Sequence, residues 1–320
     1  MKKQAGKIAA ETTAEKVSAN KRIQQIAWIV VASVTAFIFG LGSGYWKWGR
    51  DETAAAAKEK ELTQFHEQVN PKAGYTLPVS YGDLGPQLIK TGVVDYDAFV
   101  NVMTAGGDTL SDRQMEILST GSDEPVVITA ENAHFLLNFF WAVGLANRNS
   151  ILTQGAMVQY SDGQIDRFAS TGGWTLANKP ITELYASLEL IPLTPEQQAR
   201  VEEVAGAVYR PCCNNHTLFP DCNHGMAMLG LLELMASQGA STDQMFEAAK
   251  YVNAYWFPQQ YLETAIYLKA NQNVEFSDAE PRLVVSDQYS SSSGAGRVHQ
   301  SLQDTGLLKQ APGTGGSCAN

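Results

Sequence analysis

The longest apolar run of the chain is Ile26–Trp46, IAWIVVASVTAFIFGLGSGYW, and it contains no charged residue. A helix of this length crosses a hydrocarbon core of about 30 Å at about 1.5 Å per residue. Trp28 stands near one end, and Tyr45, Trp46 and Trp48 near the other, where interfacial aromatics belong. The stretch is too long for the apolar part of a cleaved signal peptide and lacks a small-x-small cleavage site, so it reads as an uncleaved signal anchor. Basic residues before it (Lys2, Lys3, Lys7, Lys16, Lys21, Arg22) exceed those just after it, which predicts a cytoplasmic arm over 1–25 and an extracytoplasmic C-terminal domain. Residues 47–69, rich in Ala, Glu and Lys, extend this as a helical stalk.

Beyond residue 70 the pattern changes to helices between short loops. Ser111…Gln114 and Ser241…Gln244 have the spacing of capping boxes, and Thr194-Pro195…Gln197 adds a proline at the first helical position. Thr129 with Glu131 marks another start, followed by His134–Leu145, whose apolar run is too short to span a bilayer and suits a central core helix. His134 and Asn138, one turn apart on it, read as satisfied polar groups. A long helix follows Thr242, is kinked or ended by Pro258, and resumes through Tyr261, Ala265 and Leu268. Period-two alternation is scarce, with Pro125–Thr129 and Leu283–Ser286 as the short strand candidates. The expectation is an all-α domain over 70–285, then a flexible Ser/Gly-rich tail over 286–320. Within that tail Tyr289–Gly296 is the linker, a short helix is expected over 297–308, and Pro312–Asn320 reads as disordered.

Charge narrows the partners. The chain of 320 residues carries a formal net charge of -10, which argues against nucleic acid, whose phosphates need a basic field. Ala32, Ala36, Gly40 and Gly44 fall on one face of the span and would let a second copy approach closely, so the expected partners are the bilayer and a homodimer mate.

The chemistry is concentrated in RPCCNNHTLFPDCNHGMAMLG, Arg210–Gly230. Cys212, Cys213 and Cys222 stand beside His216, His224, Met226 and Met228. Thiolate and thioether ligands favour Cu(I), and three Cys with one His also suit tetrahedral zinc. Cys212, Cys213, Cys222 and His224 are the first-choice ligands, with His216 and Met228 auxiliary. Pro220-Asp221 reads as a helix start with Asp221 as N-cap, which places Cys222 in the first turn, near the positive end of the helix dipole. Met226 and Met228 also fit plain core packing, among Leu229, Leu231 and Leu232. Two other readings stay open. Cys222 paired with Cys212 or Cys213 would staple the loop of an exported domain used for structure or partner binding. A thiol of depressed pKa would instead serve an oxidoreductase. Cys318, in the Gly-rich tail, reads as a solvated terminal thiol or an inter-subunit disulfide partner, and it also has the reach to exchange a metal or a disulfide with the cluster. No Cys-x-x-Cys, Gly-x-Ser-x-Gly, P-loop or His-Glu-x-x-His pattern occurs, so hydrolase and nucleotide functions gain no support and binding is favoured over catalysis.

The stretch from Tyr209-Arg-Pro-Cys-Cys-Asn-Asn to Phe219-Pro-Asp-Cys-Asn-His-Gly-Met-Ala-Met228, with the Gly-Gly-Ser-Cys tail, resembles uncharacterised membrane-anchored bacterial proteins. The resemblance adds bacterial export as context and brings no established activity. The cysteine/histidine cluster carries the expected function, handling of a soft metal ion, Cu or Zn, by a membrane-anchored helical domain.

Overall fold

The computed structural model describes residues 56–107 and 109–308. The expected arm, the span Ile26–Trp46 with its small-residue face, and Cys318 lie outside them. Among the described residues no helix is long and apolar enough to cross a membrane. The chain divides into two compact units, Met1–Thr63 and Gln64–Asn320. In the first, the described residues 56–63 are helical.

The second unit is mostly helical, as the sequence predicts, with one small sheet. Strand β1 (Tyr75–Gly82) pairs antiparallel with β2 (Ser122–Ile128), which covers most of the expected strand at Pro125–Thr129. Between them run α1 (Leu84–Thr91), α2 (Tyr96–Ala105) and α3 (Asp112–Ser119). Then come α4 (Ala133–Ala146), α5 (Pro195–Ala207), α6 (Asn223–Ser237), α7 (Thr242–Trp256), α8 (Pro258–Gln272) and α9 (Ser292–Asp304). One-turn segments fill the stretch between α4 and α5. All three capping boxes form, at the starts of α3, α5 and α7. Pro258 ends α7 and opens α8 as its first residue, where a missing N–H costs nothing.

Helices α4 and α6 form the centre, and nearly every residue of both is buried. Their backbones meet at two glycines. A Cβ on Gly144 would stand 2.2 Å from the Met226 carbonyl oxygen, and one on Gly230 2.5 Å from that of Phe140. No other residue permits this approach. At the end of α4, Asn147 donates to Glu233 Oε2 on α6 at 3.0 Å and accepts from the Ile191 N–H at 2.9 Å. A second apolar cluster gathers Phe65, Val69, Tyr261, Phe276, Val298 and Leu302 around α8 and α9. The fully buried Lys250 of α7 points at the carbonyls of Phe276 and Ala279, each 3.5 Å away, and over the Phe276 ring.

The C-terminal part departs from the expectation. Tyr289–Gly296 is no loose linker: Tyr289 and Ser290 are buried, and Ser291 caps α9 by accepting from the Gly294 N–H. The strand expected at Leu283–Ser286 is instead the end of a one-turn helix, Pro281–Val284, started by Glu280.

Burial pushes the Glu233 carboxyl up to about 8. The folded state therefore holds a proton that the unfolded chain releases near 4.5, so this residue's stabilising contribution is complete below about 4.5 and falls away as pH rises to about 8. Glu233→Gln should flatten the decline in thermal midpoint between these limits, and a midpoint series against pH measures it.

Candidate functional site

The site is built around a buried cation. Arg210 is 1% exposed, and the chain from Val208 to Cys222 folds around its guanidinium. The loop returns on itself through the bridge between Tyr209 and His216, with the Thr217 N–H bonded to the Val208 carbonyl at 3.0 Å. Inside this turn Arg210 Nη1 donates to the Asn215 carbonyl at 2.9 Å. Nη2 donates to the Phe219 carbonyl at 3.0 Å and to Asp221 Oδ1 at 2.7 Å. Nε donates to Cys222 Sγ at 3.0 Å. A guanidinium offers five N–H donors in a fixed plane, and a dry one must find acceptors for them. Gly225 is required beside it, because a Cβ there would lie 2.5 Å from Arg210 Cζ.

Cys222, and not Asp221, is the N-cap of α6: its sulfur accepts from the Gly225 N–H at 3.4 Å. Asp221 is turned away, held between Arg210 and Asn215 Nδ2, the latter at 2.8 Å. The three thiols come together, with every Sγ within 4.8 Å of the others, and Cys212 to Cys222 is 3.6 Å. All three are unbonded to one another. Part of the C-terminal segment holds the loop in place, since the Ser292 N–H donates to the Cys213 carbonyl at 2.8 Å and the Ser293 N–H to Asn214 Oδ1 at 2.9 Å.

Charge within the cluster is uneven. Hydrogen bonds from Cys212 and Cys213, reinforced by Arg210, hold the Cys222 thiol well below its ordinary range despite its burial. Cys212 is pushed up, by its hydrogen bonds with Cys213 and Cys222 and then by burial. Cys213 is also raised, because its hydrogen bond with Cys222, its burial and the Cys222 charge together outweigh the lowering bond with Cys212. Of the three, Cys222 is the thiol that ionises most readily. Desolvation depresses the Arg210 pKa, and the charges of Cys222 and Cys213 more than restore it.

The other expected ligands stand outside this three-thiol group. His224 is packed against the rings of Phe257 and Trp256, at 4.5 and 5.8 Å between centroids, with Nδ1 2.9 Å from Asn223 Oδ1. Burial drops its pKa to about 4, so the ring is neutral at physiological pH. His216 packs edge-on to Tyr209, and its buried Nδ1 has no hydrogen-bond partner. Met228 is buried in the main apolar cluster, as is Met226.

A cavity of about 850 Å³ adjoins the cluster. Its lining includes Cys212, Cys222 and His224 together with Trp141, Trp174 and Trp256. Neither Arg210 nor this cavity was apparent from the sequence. The one signal was a cationic residue two positions before a cysteine pair in an acidic chain. No family model, curated protein or solved structure matches the chain.

Lysine cannot reproduce the fork that Arg210 makes. Arg210→Lys should move the pH midpoint of Cys222 alkylation by iodoacetamide upward and slow the reaction at neutral pH. Peptide mapping of the modified thiol against pH reads both.

Proposed function

We propose that the chain binds a soft metal ion, Cu or Zn, through Cys212, Cys213 and Cys222, in a domain carried outside the cytoplasm by the signal anchor Ile26–Trp46. The observation that carries the reading is the convergence of three sulfurs within 4.8 Å. Two thiolates bound to one ion at about 2.3 Å and near the tetrahedral angle stand about 3.8 Å apart. The Cys212–Cys222 separation of 3.6 Å is close to that spacing. A trithiolate site also carries excess negative charge, and Arg210 supplies a fixed positive charge against its most anionic sulfur. His224, packed on Phe257 and Trp256 with Nδ1 held by Asn223, stays outside this ligand set.

Cys212 and Cys213 must lose protons to coordinate, so binding releases protons and affinity rises with pH. The full-length chain purified without chelator should carry close to one Cu or Zn, and Cys222→Ser should abolish stoichiometric binding, measured by elemental mass spectrometry with a free-thiol count. Unchanged binding in that variant removes the assignment. Two or fewer free thiols without metal would favour the disulfide staple.

Location is tested separately. In spheroplasts of a bacterial host, external protease should degrade the domain after residue 64, while the arm over 1–25 survives. Protection of the domain in intact spheroplasts would refute the outward orientation.

A further inference from the structure

Three protein sulfurs leave a four-coordinate ion with one position open. The cavity decides what can reach it. Two of the three cysteines, Cys212 and Cys222, line the cavity. At about 850 Å³ it is larger than a water or an inorganic anion needs and lies in the range of small-molecule sites. Its walls include the rings of Trp141, Trp174, Trp256 and Phe257. Among the described residues, no carboxylate, ammonium or guanidinium lines it.

The walls are held in place. Trp141 Nε1 donates to the Ser170 carbonyl at 2.7 Å, Trp174 Nε1 to the Val93 carbonyl at 2.9 Å, and Trp256 Nε1 to the Ala133 carbonyl at 3.1 Å. Each indole has its polar edge satisfied by the protein, so its ring is available for apolar contact without an unmet N–H. Trp141 and Trp174 meet edge to face at 4.9 Å and form a fixed corner.

We infer that this cavity binds an uncharged, ring-bearing small molecule with a soft sulfur donor, whose sulfur takes the open position on the ion held by Cys212, Cys213 and Cys222. The inference rests on the metal reading above. Its chemistry is ligand substitution. The ligand's S–H bond breaks, a metal–sulfur bond forms, the proton passes to solvent and no electron is transferred. No charged side chain on the wall offers an ionic partner to a charged ligand, so recognition beyond the sulfur falls to the rings. The apolar rings reward a flat hydrocarbon group instead.

The test uses the full-length protein loaded with Co(II), whose sulfur-to-cobalt charge-transfer band reports thiolate coordination and whose visible bands report coordination geometry. Benzyl mercaptan and 2-mercaptoethanol, thiols of similar acidity, are titrated in turn. Benzyl mercaptan should perturb the visible bands at a concentration about tenfold or more below that of 2-mercaptoethanol. Phe257→Ala should shrink the difference. Equal affinity for the two thiols, or no spectral change in a protein that shows the charge-transfer band, overturns the inference and leaves the metal site standing. Absence of that band overturns the metal reading and the inference together.

Discussion

The close crossing of α4 and α6 is the constraint on which both the core and the site depend. Gly144 and Gly230 let two backbones come within reach that any side chain would forbid. With the crossing fixed, the start of α6 has no freedom relative to α4. That start carries Cys222, Asn223 and His224, and α4 carries His134, Asn138 and Trp141, all of which line the cavity. The crossing thus places Cys222 relative to Trp141, while the loop around Arg210 places Cys212. Asn147 and Glu233 bind across the same helix pair in a dry environment, where an unmet polar atom is costly, and so favour one register over its neighbours.

The second organising element is a charge. Arg210 has almost no contact with solvent, and a buried guanidinium without acceptors would be unstable. The loop carbonyls of Asn215 and Phe219 turn inward to meet it, Asp221 gives up the cap of α6 to pair with it, and Cys222 takes over the cap. Helix caps are ordinarily oxygen acceptors, Ser, Thr, Asp or Asn. A neutral thiol is a poor substitute. A thiolate is a good one, and it answers the helix N-terminus and the guanidinium at once.

Much of the helical architecture was legible because its signals are local. A capping box needs four consecutive residues, and all three formed. Elements set by tertiary contacts were not legible. In β1, Leu77, Val79 and Tyr81 alternate inward, yet Pro78 and Gly82 are residues that strands disfavour, and pairing with β2 overrides them. The serines of 290–293 have the composition of a linker, but Ser291 serves as a cap and Ala295, Val298 and Leu302 give α9 an apolar stripe. The cysteines announced the site by their density. Arg210 and the tryptophans could not, since nothing in the sequence shows that a surface-favouring cation is buried, or that Trp141, Trp174 and Trp256 converge.

These features also weigh the staple against the ion. Joining Cys212 to Cys222 would bring their sulfurs from 3.6 Å to about 2.05 Å and convert both into weak acceptors. Arg210 Nε would then face a disulfide sulfur where it now faces the most acidic of the three thiols, and Cys213 would be left as an unpaired thiol. Arg210 would keep Asp221 and the carbonyls of Asn215 and Phe219, so the staple weakens its bond at Nε alone. A bound metal does the opposite. It would replace the thiol protons with one ion, make all three sulfurs anionic, and preserve the acceptor that Arg210 and the α6 N-terminus both use.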